Sequence, residues 1–170
     1  MSWYGDCSVG GICGVCFGTF IINCENSGTV NGNSNGMSGY TGGIVGQARD
    51  DLEIGTVTVT ANVSGDTTND TTYVGGIIGE GTSVTVTAAE VTGDITGTEY
   101  VGGIAGYGTY GAATVTCQFE DCSVEKCTIR ATGNFAGGIY GSYRANGAQP
   151  IVSGCDVSDS SVLANSNAGG

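Results

Sequence analysis

The sequence predicts an all-β chain wound as a parallel β-solenoid, and three observations predict it. A short phrase recurs, glycine is abundant where helices would exclude it, and threonine alternates with valine in short runs. The phrase is two glycines, an isoleucine, one small or apolar residue and a third glycine. It opens at Gly10, Gly11, Ile12; at Gly42, Gly43, Ile44; at Gly75, Gly76, Ile77; at Gly102, Gly103, Ile104; and at Gly137, Gly138, Ile139. Successive copies start 32, 33, 27 and 35 residues apart. Repetition at such a period marks a solenoid or array, in which each unit buries its apolar side against its neighbours.

Composition supports the same class. The chain has 33 Gly and 1 Pro among 170 residues, and each glycine costs a helix about 1 kcal/mol relative to alanine. The glycines lack the three-residue period of collagen. A net charge of −12 would suit a disordered chain, but the recurrent Val and Ile runs call for a packed core. Four Lys and Arg against sixteen Asp and Glu leave no basic stripe for a nucleic-acid backbone and disfavour anionic membranes. No apolar run approaches the roughly 20 residues of a membrane-spanning helix. Neither nucleic acid binding nor membrane insertion is therefore expected.

Within each period the elements follow one order. An aromatic residue at Tyr40, Tyr73, Tyr100 or Phe135 introduces four of the phrases. A variable loop comes next, then an alternating strand such as Thr56 to Thr60 or Val84 to Thr87, then a short apolar piece at Val30, Val91 or Val124. Gly, Asn, Asp and Ser between the pieces are turn formers. The expectation is about five coils of roughly 27–35 residues with three short strands per coil. Ile12, Ile44, Ile77, Ile104 and Ile139 then form one internal ladder with a step of about 4.8 Å. Val57, Val59, Val86 and Val115 face inward, and Thr56, Thr58, Thr60, Thr85, Thr87, Thr114 and Thr116 face out. A β-sandwich is the runner-up fold.

Residues 1–170 read as a single repeat domain. Met1 to Asp6 show neither the basic region nor the apolar stretch of a secretory signal. Ala168, Gly169 and Gly170 look like the opening of a sixth copy. The expectation is a segment of a longer array or a subunit that stacks end to end.

The phrases Tyr73 to Gly79 and Tyr100 to Gly106, together with Cys24 to Gly32 ahead of Gly42, resemble the GLUG motif repeats of bacterial surface proteins. Those include adhesin-like proteins and the flanking regions of some immunoglobulin A-specific metallopeptidases. Isoleucine stands here where the motif has leucine. The resemblance covers nearly the whole chain and implies an extracellular or cell-surface location and a non-catalytic role. It transfers no catalytic residue.

The chain has no histidine, which removes the Ser-His-Asp and Cys-His arrangements and the peptidase zinc motif. No catalytic, cofactor-binding or metal-binding residue is expected. A polysaccharide-acting β-helix enzyme is an alternative that would need paired carboxyls about 5 to 9.5 Å apart. Its candidates are Asp50, Asp51 and Glu53; Glu120 and Asp121; Asp156 and Asp159, all also readable as solvated loop charges. The same acids lack the spacing of a calcium repeat.

Eight cysteines form two clusters, Cys7, Cys13, Cys16, Cys24 and Cys117, Cys122, Cys127, Cys155. Disulfides, buried thiols and a zinc site in the first cluster are the readings open. Alignment of Cys122, Ser123, Val124 with Cys155, Asp156, Val157 puts Cys122 and Cys155 in one column, about 5 Å apart, where a disulfide can form. The pairs Thr56 with Thr58, Thr85 with Thr87 and Thr114 with Thr116 suggest a second alternative, an ice-binding array on one face, set against threonine's ordinary use on exposed strands. Asn62 and Asn69 begin glycosylation patterns. The leading expectation is a non-catalytic structural or adhesive segment. Its partner is another copy of itself, end to end or laterally and even as filaments, or an extracellular or cell-surface ligand.

Overall fold

A computed structural model of the chain describes residues 6–34, 37–67, 71–109, 116–144 and 149–170. Among them there is no helix; every regular element is a strand, and every strand pairing is parallel. The first coil contains β1 (Cys7–Gly10), β2 (Cys13–Phe17), β3 (Phe20–Asn26) and β4 (Val30–Asn31). The second repeats the order as β5 (Gly39–Gly42), β6 (Val45–Arg49), β7 (Glu53–Val59) and β8 (Val63–Ser64). The third has β9 (Thr72–Gly75), β10 (Ile78–Thr82), β11 (Thr85–Val91) and β12 (Ile95–Gly97).

In the fourth coil the long third strand divides. It comprises β13 (Tyr100–Gly102), β14 (Ala105–Thr109), β15 (Gln118–Glu120), β16 (Ser123–Glu125) and β17 (Thr128–Ala131). The fifth matches it with β18 (Phe135–Gly137), β19 (Tyr140–Arg144), β20 (Ile151–Ser153), β21 (Asp156–Ser158) and β22 (Ser161–Leu163), and β23 (Asn167–Gly169) opens a sixth level. The result is a parallel β-solenoid in which about four turns separate the first level from the fifth.

The strands stack into four sheets, so each coil has four sides rather than the three expected. The reason lies in the glycine phrase. It is a corner between two strands, with Gly43 and Ile44 bending the chain between β5 and β6. The seven-residue third strand is also bent, by a left-handed residue repeated at one corner of successive levels: Asn23 (φ 54°), Thr56 (51°), Ala88 (52°), Asp121 (52°) and Gly154 (63°). Left-handed backbone in non-glycine residues carries strain, and here the same corner recurs level after level.

The core is built from columns of like residues. Val30, Val63, Ile95, Ile129 and Val162 form one. Ile21, Ile54, Val86, Phe119 and Val152 form another. Ile44, Ile77 and Ile104 are fully buried and linked backbone to backbone, Ile44 N–H to the Ile77 oxygen at 3.0 Å and Ile77 N–H to that of Ile104 at 2.9 Å. Ile12, at the first level, is 50% exposed because no level precedes it in the structure. Val57, Val59 and Val86 are buried and Thr56, Thr58, Thr60, Thr85 and Thr87 lie partly or fully at the surface. Thr114 and Val115 lie outside the described residues.

Candidate functional site: the glycine corner, the outer columns and the end levels

Each glycine of the phrase is required by a different neighbour. A Cβ on the first would strike the carbonyl oxygen three residues on, as at Gly42 against Val45 and Gly75 against Ile78. A Cβ on the second would strike the carbonyl oxygen of its own counterpart one level further, as at Gly43 against Gly76 and Gly103 against Gly138. A Cβ on the third would stand 2.6 Å from Val9 N at Gly46 and 2.5 Å from Thr41 N at Gly79. The two strands flanking the corner are thus folded tightly against each other. Gly10, Gly102 and Gly137 repeat the first contact and Gly11 and Gly76 the second, while at Gly138 the added atom would meet Val157.

The corner carries an aromatic ladder. Tyr40, Tyr73, Tyr100 and Phe135 stack at 5.1, 4.9 and 5.0 Å with interplanar angles of 10°, 5° and 3°. Tyr107, from the facing strand, tilts against Tyr73 and Tyr100. Beside it Glu80 accepts a hydrogen bond from Gln47 Nε2 at 2.6 Å and pairs with Arg49 at 3.6 Å. Burial, with the neighbouring Tyr100 hydroxyl and Glu80 carboxylate, pushes the Tyr73 phenol up to about 12. Burial and Glu80 raise Tyr40 further. The inner rings Tyr73 and Tyr100 are covered on both faces, so the ladder consolidates the stack.

Gln47, Glu80 and Tyr107 all follow the third glycine of a phrase, and that shared position is the signal in the sequence that would have found this cluster.

The acids lie along the third side and in the turns that bound it. Asp50, Asp51 and Glu53 sit at the second level, Glu120 and Asp121 at the fourth, Asp156 and Asp159 at the fifth. The structure does not bring the three groups together: the first is two levels from the second, about 10 Å along the axis. One column reads Glu25, Thr58, Glu90, Ser123, Asp156, so acids alternate with hydroxyls.

The threonine array expected for ice binding is not laid out. Thr85 and Thr87 pair with Glu53 and Gly55 on one side and with Gln118 and Glu120 on the other. Thr58 pairs with Glu90. The third strand starts three residues before Thr56 but only at Thr85 itself, and this offset puts the two Thr-x-Thr pairs in different columns. Asn62 is exposed, and its Oδ1 accepts a hydrogen bond from Asp94 N–H at 2.9 Å. Asn69 lies outside the described residues.

Cys122 and Cys155 occupy equivalent corners of adjacent levels, with Asp156 N–H bonded to the Cys122 oxygen at 2.9 Å. They are neighbours as the alignment expects, and of the readings left open for them the structure holds free thiols at all eight cysteines. Parallel stacking points both side chains the same way, and each Sγ–H donates to a carbonyl oxygen of the preceding level, Cys122 to Val86 at 3.6 Å and Cys155 to Phe119 at 3.4 Å. Cys117 and Cys127 do the same to Gly81 and Val91. Burial, together with the adjacent Cys155, pushes the Cys122 thiol up to about 12. The five-residue spacing of Cys117, Cys122 and Cys127 marks corners separated by short sides whose centres are Phe119 and Val124. The sequence holds that spacing. In the first cluster, burial and the nearby Cys13 raise the Cys16 thiol. No group of three metal-ligating side chains occurs among the described residues.

The end levels differ from the rest in what they expose. Phe17, Phe20 and Ile22 at the first level are 59%, 67% and 57% exposed, and Ile151, Val152 and Leu163 at the fifth are 45%, 43% and 49% exposed. Compared with protein-family models, with curated proteins and with solved structures, the chain matches none.

Proposed function

We propose that this chain is a non-catalytic structural segment that acts through self-association, as a repeat element of an extracellular or cell-surface assembly with an adhesive role. The observation that carries the reading is the stacking itself, in which in-register parallel levels extend one another's columns and apolar side chains stand exposed on the first and fifth levels. Inside the stack, every level satisfies the backbone of the next and buries its columns. At β1 to β4 and at β19 to β22 one edge of each strand is open, beside Phe20 and Ile22 at one end and Ile151 and Leu163 at the other. Open strand edges with apolar neighbours template pairing with further strands. A contact between two unlike ends is heterologous and propagates. The resemblance of the phrases to GLUG repeats supports the surface location and adhesive role.

Sedimentation of the purified chain over a broad concentration range tests the reading. The expected result is assembly that grows with concentration. A persistent monomer would contradict it, and so would polysaccharide cleavage abolished by Glu53→Gln or Glu120→Gln.

A further inference from the structure

The two strands that flank the glycine corner bring phenols together at one place. Along the first side, Tyr40, Tyr73 and Tyr100 share a column that passes on to Phe135. Along the second, the residue after the third glycine is in turn Gln47, Glu80, Tyr107 and Ser142. Among the described residues, the fourth level alone therefore carries a phenol in both columns, and Tyr73 of the third level adjoins it.

These rings meet in two ways. Tyr73 lies nearly parallel to Tyr40 and to Tyr100, at 10° and 5°. Tyr107 instead leans on Tyr73 at 5.3 Å and 56° and on Tyr100 at 5.4 Å and 60°. A carbon–carbon bond between two phenols joins their ring edges, and the rings of the product are tilted about that bond. The inclined approach of Tyr107 is closer to that geometry than face-to-face stacking is. All four tyrosines are partly exposed, so a small oxidant reaches their margins. An electron taken from one ring of the column can be replaced from the next, whose centroid is 5.1 or 4.9 Å away.

We propose that Tyr107 is a site of oxidative cross-linking, joined carbon to carbon to Tyr73 or Tyr100 by a one-electron oxidant of the peroxidase class acting with hydrogen peroxide. Each phenol gives up one electron and its hydroxyl proton, and the two phenoxyl radicals couple at ring carbons ortho to oxygen. The hydrogens on those carbons then move to the oxygens, which restores both phenols. The two electrons and two protons released reduce one hydrogen peroxide to two waters. Phe135 has no hydroxyl, so the path of the radical along the column ends at Tyr100. Either bond closes a covalent ring around the glycine corner and restricts the unfolded chain as a disulfide does. The cross-link forms within one chain and does not depend on self-association.

Peptide mapping of the oxidised chain tests this. The full chain, its accessible thiols alkylated, is treated with a peroxidase and hydrogen peroxide, and the monomer band from a denaturing gel is digested for mass spectrometry. The expected product is a peptide pair lighter by two hydrogens than its parts, fluorescent as a biphenol, that joins Tyr107 to Tyr73 or to Tyr100. Tyr107→Phe keeps the ring and is expected to abolish the product, whereas Tyr40→Phe is expected to retain it. In urea the same treatment should scatter the links among the tyrosines. A bond from Tyr40 to Tyr73 as the main product, a biphenol signal undiminished in Tyr107→Phe, or a folded monomer that forms no biphenol overturns the proposal.

Discussion

Gly76 leaves no room for a Cβ against the carbonyl oxygen of Gly103, its counterpart one level further along the solenoid, and Val91 Cγ1 closes the other side at 2.7 Å. Backbone packs on backbone there, so the phrase is a steric requirement at the contact between levels.

Gly76→Ala is accordingly expected to destabilise the fold by about 3 kcal/mol or more, since neither neighbour can yield without moving a strand. Gly28→Ala, where the added atom meets only Asn26 Oδ1 at an ordinary 3.5 Å, should cost under about 1 kcal/mol. Thermal unfolding of the two variants beside wild type checks the contrast.

Thr58 separates Glu25 from Glu90 in their column. Thr58→Glu would set three carboxylates one strand spacing apart, and like charges directly opposite are destabilising by about 0.5–1 kcal/mol. Urea titration should show that loss at low salt and its partial recovery at high salt, where exposed charges are screened.

Alkali should unfold the stack through the aromatic ladder. The Tyr73 phenol is raised to about 12 from an ordinary value near 10, so the folded state holds its proton more tightly than the unfolded chain does. That stabilisation is fully present below about pH 10 and is lost as pH rises toward 12. Tyrosine ionisation followed by ultraviolet absorbance should coincide with loss of the β-sheet signal, and Tyr73→Phe should shift that loss to higher pH.

Thiol reactivity should divide the cysteines by level. Cys117, Cys122 and Cys127 are at most 3% exposed, and burial raises all three thiols, so they should label only on unfolding. Cys7, Cys13, Cys16 and Cys24 at the first level should label in the native protein, read by mass spectrometry. Native labelling of Cys122 ahead of Cys24 would contradict the stacking order.

The sequence made the solenoid legible because its strongest constraint is local: three glycines and an isoleucine, held by contacts within the corner and with neighbouring levels, recur as visible text. The isoleucine ladder and the inward valines followed from the same period. The number of sides did not, because the phrase looks like one continuous strand, whereas its bend at Gly43 and Ile44 divides two. The register of the third side was hidden too. Thr56 and Thr85 look alike in sequence, but Thr56 is a left-handed corner residue whose counterpart is Ala88. The Glu80 cluster joins three levels and shows only when residues after the third glycine are aligned.

The axial repeat of an assembled fibre, measured by electron microscopy, tests the central claim most directly. If copies associate by continuing the parallel stack, each adds about five levels of about 4.8 Å, a rise of about 24 Å per copy. Isolated monomers at every concentration would contradict the account at its root.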